Sequence, residues 1–228
     1  MPRKAPRALL LLLTASLTAS LALTGCEVVD AGDPGQDSSS GNGSGSGSGS
    51  GAKNAKEAQT QLDALTVATA GTMKGYSREK FPHWRDTGSN CDVRDTVLER
   101  DGKNVKLSGC NVVAGTWNSI YDDQVIDSPT KVDIDHMVPL AAAWRSGAAK
   151  WDNDKRGEFA NDLDRPQLFA VSASSNRSKG DQDPSTWKPP AESVWCEYAV
   201  DWITVKSYWE LSVTDKEKSA LDDMLRTC

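Results

Sequence analysis

Apolar residues recur at every third or fourth position near the end of the chain, a spacing that is typical of helices with one buried face. We expect this stripe to lie in the core, and it comprises Trp195, Tyr198, Trp202, Val205 and Trp209. Further along, Thr214 and Glu217 match the capping-box pattern, which predicts the start of a second helix. Two successive helices joined by a short turn predict an αα-hairpin at the end of the fold.

The middle of the chain predicts two strands. Apolar and charged residues alternate over residues 131–135, which predicts a strand that ends at His136. Residues 168–171 form a second apolar run, and Ser172 is suited to cap a short helix directly after it. Residues 140–163 carry helical stretches between the two strands. The predicted order is therefore strand, helical insert, strand and helix.

The region before these strands is less regular. Residues 53–70 predict a helix, because Leu62 and Leu65 would lie on one side of it and the residues around them are good helix formers. Asn90 is a candidate cap for a short second helix. Residues 105–113 predict one or two short strands after the turn signal Asp-Gly.

The first 25 residues predict a targeting segment. A basic start precedes an apolar run over residues 9–23, which is short for a membrane span. Residues 23–26 (Leu-Thr-Gly-Cys) resemble a bacterial lipobox, in which the peptidase cuts before the cysteine and the cysteine carries the lipid. We therefore predict a lipoprotein signal peptide over residues 1–25, lipidation of Cys26 and attachment to the cell membrane. An ordinary cleaved signal peptide and a short membrane anchor are the alternatives.

Composition divides the remainder into a linker and one domain. Residues 26–51 are rich in Gly, Ser and Asp, so they cannot bury enough apolar surface to offset their chain entropy. We expect a flexible tether there and a single domain over residues 52–228.

The charge of the chain limits how it could contact nucleic acid. The formal net charge is −6, and loss of the basic leader makes it more negative. This counts against a protein that coats nucleic acid by bulk charge. Any nucleic-acid enzyme of this sequence needs local basic patches.

Four cysteines besides Cys26 form an even set, which is typical of exported proteins with disulfides. We favour Cys91–Cys110, which clips one helix to the strands after it, and Cys196–Cys228, since an αα-hairpin brings its two ends together. A four-cysteine zinc site is the weaker alternative, because no Cys-x-x-Cys pair is present.

Several side chains near the two predicted strands suit phosphodiester hydrolysis. Asp135 and Asn176 offer hard oxygen ligands for an ion such as magnesium. His136 can take a proton from water as a neutral imidazole. Adjacent side chains of a strand point to opposite faces, so His136 shares a site with Asp135 only if the strand ends or bends there. Arg177 and Lys179 are candidate contacts to phosphate oxygens.

These motifs resemble a known family. Residues 133–139 (Asp-Ile-Asp-His-Met-Val-Pro), followed by residues 176–181 (Asn-Arg-Ser-Lys-Gly-Asp), are similar to the HNH endonuclease superfamily, also called ββα-metal or His-Me finger nucleases. The secreted actinobacterial branch is more similar still. Its further elements match Ala-Trp-Arg-Ser-Gly-Ala at residues 143–148, Asn-Asp-Leu at residues 161–163 and Trp-Lys-Pro-Pro at residues 187–190.

The resemblance implies an α+β fold with a ββα-metal finger core, flanking helices, the C-terminal αα-hairpin and two disulfides. It implies that Asp135 and Asn176 bind one divalent metal ion, Mg²⁺ in the first place and Mn²⁺ as the alternative. His136 would be the general base. The implied activity is an extracytoplasmic endonuclease that cleaves DNA, with RNA as a second candidate, with little sequence specificity. No protein partner is predicted.

One position departs from the family pattern. Many members have an asparagine before the second-strand leucine, and that asparagine orients the histidine. Here Gln167 occupies the position, so either Gln167 or Asn161 would take the role. Asp133 either supports His136 from behind or pairs with a lysine. His83 lacks comparable neighbours, and we interpret it as a surface or packing residue.

Two other functions remain open at this point. One is a catalytically inactive HNH-like surface lipoprotein that binds a cell-wall polymer or a protein partner, which the acidic charge and the position of Gln167 favour. The other is a nuclease toxin directed against competitors.

Overall fold

The structure is a computed structural model that describes residues 48–228, with side chains from residue 54 onward. The predicted signal peptide, the lipidation site Cys26 and the linker up to residue 47 lie outside the described residues. Helix α1 (Ser48–Ala64) begins inside the segment predicted as linker and ends before the predicted residue 70. Within residues 48–228, no helix is both long enough and apolar enough to cross a membrane.

The other helices and the strands follow in short segments. The helices are α2 (Val93–Asp101), α3 (Leu140–Arg145), α4 (Asn153–Ala160), α5 (Ala173–Lys179), α6 (Trp195–Tyr208) and α7 (Asp215–Leu225). The strands are β1 (Asp86–Gly88), β2 (Cys91–Asp92), β3 (Lys103–Ser108), β4 (Asn111–Asn118), β5 (Val125–Ile126), β6 (Val132–His136) and β7 (Leu168–Ser172). The described part of the chain therefore mixes helices with small sheets.

Strands β6 and β7 form an antiparallel pair, with Val132 opposite Ser172 and His136 opposite Leu168. Helices α3 and α4 lie in the insert between the two strands, and α5 follows β7 directly and packs against both strands. This confirms the predicted order of strand, helical insert, strand and helix.

The other sheets flank this unit. Strands β3, β4 and β5 form an antiparallel sheet in that order, and β1 pairs with β2. Trp117 of β4 is fully buried against α2, where its indole Nε1 donates to the carbonyl of Leu98 at 2.8 Å. Helix α2 is bound to β7 because Asp101 accepts a hydrogen bond from the backbone N–H of Ala170 at 2.9 Å.

The αα-hairpin is confirmed by α6 and α7, and the aromatic stripe of α6 lies in the main core. The side chain of Thr214 accepts from the backbone N–H of Glu217, and Glu217 returns the contact, as the capping box predicts. Glu217 also accepts from Lys206 and from the indole of Trp202, each at 2.7 Å. The buried charges of Lys206 and Glu217 are therefore paired and hydrogen-bonded.

Both predicted disulfides are present, Cys91–Cys110 and Cys196–Cys228. The predicted cap of α2 was wrong. Asp92, not Asn90, accepts the hydrogen bond from the backbone N–H of Asp95. Asn90 instead has a φ of 63° in the turn between β1 and β2, a conformation that asparagine tolerates better than most residues.

Asp201 on α6 is expected to make the stability depend on pH. Burial and, to a lesser extent, the nearby charge of Glu197 together raise the pKa of Asp201 to about 8. The folded state therefore retains a proton that the unfolded state releases near pH 4. The contribution of Asp201 to the free energy of unfolding therefore falls as the pH rises from about 4 to about 8. Above about pH 8 it does not change further.

We expect Asp201→Asn to be more stable than the wild type at pH 9, by on the order of a few kcal/mol, and equal to it at pH 4. Urea unfolding at both pH values measures the difference. Asp223→Asn, which alters an exposed carboxylate on α7, is the matched control. An equal gain at both pH values would contradict the assignment.

Candidate active site

A cavity of about 250 Å³ opens where β6 ends. Asp135 and His136 at the end of β6 and Asn176 of α5 all line it. The three side chains predicted for the chemistry therefore meet at one cavity. Tyr76, Arg78, Ile134, Pro139, Leu140, Ala141, Gly180 and Asp181 complete the lining.

Helix α5 is held in place at its start. Ser172 caps the helix, since its hydroxyl accepts from the backbone N–H of Ser175 at 3.2 Å. Both hydroxyls donate to Asp122 Oδ2, Ser172 at 2.5 Å and Ser175 at 2.7 Å. A carboxylate at a helix N-terminus also interacts favourably with the helix dipole. These contacts position the turn that carries Asn176.

Asp135 is buried and hydrogen-bonded beneath the cavity. Its Oδ2 accepts from the hydroxyl of Tyr121 at 2.6 Å and from Lys179 Nζ at 2.5 Å. Burial raises the pKa of Asp135, and the charge of Lys179 and these two hydrogen bonds oppose the rise. Both side-chain donors meet on one oxygen. Among the described residues, Oδ1 has no side-chain donor.

Lys179, predicted as a phosphate contact, has a fully buried side chain. Its Nζ donates to Asp135 and also to the backbone carbonyl of His136 at 2.7 Å. Burial lowers the pKa of Lys179, and the carboxylate of Asp135 opposes that shift. In this position Lys179 joins the end of α5 to the end of β6 and has no surface with which to reach a phosphate. Arg177, in contrast, is 78% exposed and lies 3.8 Å from Asp133.

His136 is held as a neutral imidazole. Its Nε2 lies 3.0 Å from the carbonyl of Ala160, and because a carbonyl only accepts, Nε2 carries the proton. Nδ1 is then the free acceptor. Burial lowers the pKa of His136 to about 3. The ring of Trp84 stacks on the imidazole with centroids 5.8 Å apart and planes 27° apart.

Gln167 and Asn161 form hydrogen bonds close to His136 but none to its ring. The amide of Gln167 pairs with both backbone groups of Val138, at 3.1 Å and 3.0 Å, and so fixes the chain just after His136. Asn161 follows the residue whose carbonyl meets the imidazole, and its Nδ2 donates to the carbonyl of Pro82 at 2.7 Å. The hydrogen bond to the ring itself comes from the backbone of Ala160.

Asp133 contacts Asn176 rather than His136. The Nδ2 of Asn176 donates to Asp133 Oδ2 at 3.1 Å. The amide nitrogen is thereby occupied, and the amide oxygen is the acceptor that stays available. Asp133 therefore orients Asn176, and it does not pair with a lysine among the described residues.

The donors in the cavity fit one hard divalent cation. A carboxylate from Asp135 and an amide oxygen from Asn176 are the ligand types that Mg²⁺ and Mn²⁺ accept, and such ions keep several waters. Within residues 48–228, no three His, Cys, Asp or Glu side chains cluster as a metal site built from them alone would require. A cation in this cavity would therefore use the amide oxygen of Asn176 together with the carboxylate of Asp135.

Sequence motifs do not indicate the segment of residues 78–84, which places Arg78 at the cavity and Trp84 against His136. The ring of His83 lies 6.3 Å from that of His136, centroid to centroid. Its Nδ1 donates to the carbonyl of Phe81 at 2.6 Å, and its Nε2 accepts from Arg78 Nε at 3.3 Å. Trp84 has a φ of 59°, which a bulky residue rarely adopts. The second histidine of the chain, beside a tryptophan, was the available signal.

A family model described as "GmrSD restriction endonucleases, C-terminal domain" matches residues 90–224, which is more than half of the chain. The chain belongs to this family. The GmrSD C-terminal domain match includes β6, β7 and α5, and thus Asp135, His136 and Asn176. It begins after the segment that carries Arg78, His83 and Trp84.

The chain also resembles a fungal protein. It is 52% identical over 176 residues to an "Uncharacterized secreted protein" of Arthroderma benhamiae, a match that covers 77% of this chain and 86% of that protein. No solved structure matches.

Removal of the buried ammonium group should destabilise the fold. We expect Lys179→Met to lower the free energy of unfolding by about 3–5 kcal/mol, because Asp135 would be left as a buried charge without its cationic partner. Urea unfolding measures this. Lys150→Met, at an exposed lysine, is the matched control. The double variant Lys179→Met/Asp135→Asn should recover part of the loss. A loss no larger than that of Lys150→Met would refute the structural role of the pair.

Proposed function

We propose that this protein is an extracytoplasmic, metal-dependent endonuclease of the HNH type that hydrolyses phosphodiester bonds of DNA with little sequence specificity. RNA is a second candidate substrate. The observation that carries the proposal is that Asp135, a neutral His136 and Asn176 line one cavity at the end of β6. Membership of a family named for restriction endonucleases supports it.

The proposed reaction starts with His136. Its Nδ1 takes a proton from a water molecule, whose oxygen forms a bond to phosphorus while the bond to the 3′ oxygen breaks. The leaving oxygen takes a proton from solvent, so the products carry 5′-phosphate and 3′-hydroxyl ends. The carbonyl of Ala160 accepts from Nε2 throughout and stabilises the ring as it gains positive charge.

Asp135 and Asn176 would hold a divalent cation, Mg²⁺ or Mn²⁺. Bound there, such an ion supplies electrostatic stabilisation of the charge that develops on the phosphate. Asp133 keeps the amide of Asn176 in the orientation that presents its oxygen. Arg177 is exposed and available to contact a backbone phosphate.

We expect His136→Ala to lower the rate of plasmid cleavage by about 10²–10⁴-fold, the usual contribution of a general base. Cleavage by the wild type should require Mg²⁺ or Mn²⁺ and stop in EDTA. Thermal unfolding of both proteins checks that the variant folds, since the carbonyl of Ala160 loses its partner.

Equal cleavage by both proteins would remove His136 from the mechanism. If the wild type is inactive with every divalent ion tested, yet binds a cell-wall polymer or a protein regardless of EDTA, the inactive lipoprotein becomes the better proposal.

For the location, we propose export followed by attachment through a lipid on Cys26. Two disulfides support an oxidising compartment, and the relative from Arthroderma benhamiae is named as secreted. The basic start, apolar run and Leu-Thr-Gly-Cys of residues 1–26 support the lipoprotein leader.

Cys26→Ser should move the protein from the membrane fraction to the medium without changing its specific activity. Fractionation of cells expressing each form, with immunoblotting, measures the distribution. Ser38→Ala, in the adjacent linker, is the matched control. If Cys26→Ser and the wild type distribute identically, the lipid anchor is disproved.

A further inference from the structure

We infer that Arg78 is a phosphate-contacting residue at the cavity and that His83 is the positioning residue that directs its guanidinium group. This rests on the proposed function, because it assigns a second basic contact to a nucleic-acid backbone besides Arg177. Among the residues that line the cavity, all of which are described, Arg78 is the sole arginine or lysine.

The charge of Arg78 is available for a ligand. Its Nε donates to His83 Nε2, and His83 is neutral in this arrangement because Nδ1 donates to the carbonyl of Phe81 while Nε2 accepts. The guanidinium group is therefore oriented by an uncharged partner, and its two terminal nitrogens remain free to donate. A planar fork of this kind suits phosphate oxygens. The two carboxylates of the lining already have cationic partners, since Asp181 pairs with Arg145 at 2.6 Å and Asp135 pairs with Lys179.

The segment that carries His83 is rigidly attached to the site. Phe81 is fully buried in the main core. The carbonyl of Pro82 accepts from the side chain of Asn161 at 2.7 Å. Trp84 stacks on His136 and adopts a left-handed backbone conformation, which costs energy and persists only where the surroundings impose it. Arg78 is thereby held in a defined position relative to the predicted base.

The charge of Arg78 also acts on His136. Burial is the main cause of the low pKa of His136, and the positive charge of Arg78 lowers that pKa further. An arginine that only kept the surface soluble would not need a partner such as His83 to orient its guanidinium group beside His136.

The test measures binding rather than cleavage. A fluorescein-labelled DNA duplex of about 20 base pairs is titrated with the full chain in EDTA at several salt concentrations, and anisotropy gives the affinity. Loss of one phosphate contact lowers the slope of log affinity against log salt by about 1. Between about 20 and about 100 mM salt, the affinity of Arg78→Ala should therefore fall about fourfold less than that of the wild type.

Arg226→Ala is the matched control, since it removes an exposed arginine directly after α7 that pairs with Asp222. Its salt slope should equal that of the wild type. A wild-type slope in Arg78→Ala overturns the inference, and so does a wild-type protein that shows no binding to the duplex.

A double-mutant cycle tests the role of His83. His83→Leu should weaken binding when Arg78 is present and have no further effect in Arg78→Ala, because the two act through one contact. His83→Gln retains an acceptor and should restore most of the affinity. A loss from His83→Leu that is equal in both backgrounds overturns the positioning role.

The outcomes separate this inference from the proposed function. Binding that depends on Arg78, in a protein that cleaves no nucleic acid, would sink the nuclease proposal and uphold the contact. Cleavage by the wild type, combined with DNA binding that does not change in Arg78→Ala, would support the nuclease proposal and contradict the Arg78 contact.

Discussion

The buried ion pair between Lys179 and Asp135 is the contact on which the rest of the site depends. Two charges removed from water are costly, and the cost is offset only when their hydrogen bonds are nearly complete. Here Lys179 reaches Asp135 and the carbonyl of His136, and Asp135 also accepts from Tyr121. Lys179 joins the last residue of α5 to the last two residues of β6, so that Asn176 faces the cavity beside Asp135 and His136.

This arrangement divides the carboxylate of Asp135 between two tasks. Oδ2 receives both side-chain donors and belongs to the structure of the core. Oδ1 is the oxygen that the proposed cation would use. The lysine therefore stabilises a charged carboxylate inside the protein before any ion arrives, and the same positive charge competes with the ion for that carboxylate. We expect metal affinity to be moderate for this reason, with water and substrate phosphate completing the coordination.

The elements around the site could be predicted where the pattern is local. The alternation over residues 131–135, the cap at Ser172 and the aromatic stripe of α6 each depend on neighbours within one or two turns. Burial of Lys179 could not be predicted in this way, because a seven-residue helix carries too little periodicity to mark its buried face. The position of the segment that carries Arg78, His83 and Trp84 depends on contacts such as Asn161 to Pro82, 79 residues apart in sequence.

Gln167 stands where many HNH proteins have the asparagine that orients the histidine, and the helical insert between β6 and β7 explains why this is possible. A histidine that acts as a base needs a partner for its protonated nitrogen, and any fixed acceptor at the right distance meets that need. The carbonyl of Ala160, at the end of α4, provides it here. Gln167 pairs instead with the backbone of Val138 and holds the turn after His136. The end of α4 thus sets the orientation of the imidazole, and the residue at position 167 need not be the asparagine that performs this task in other members.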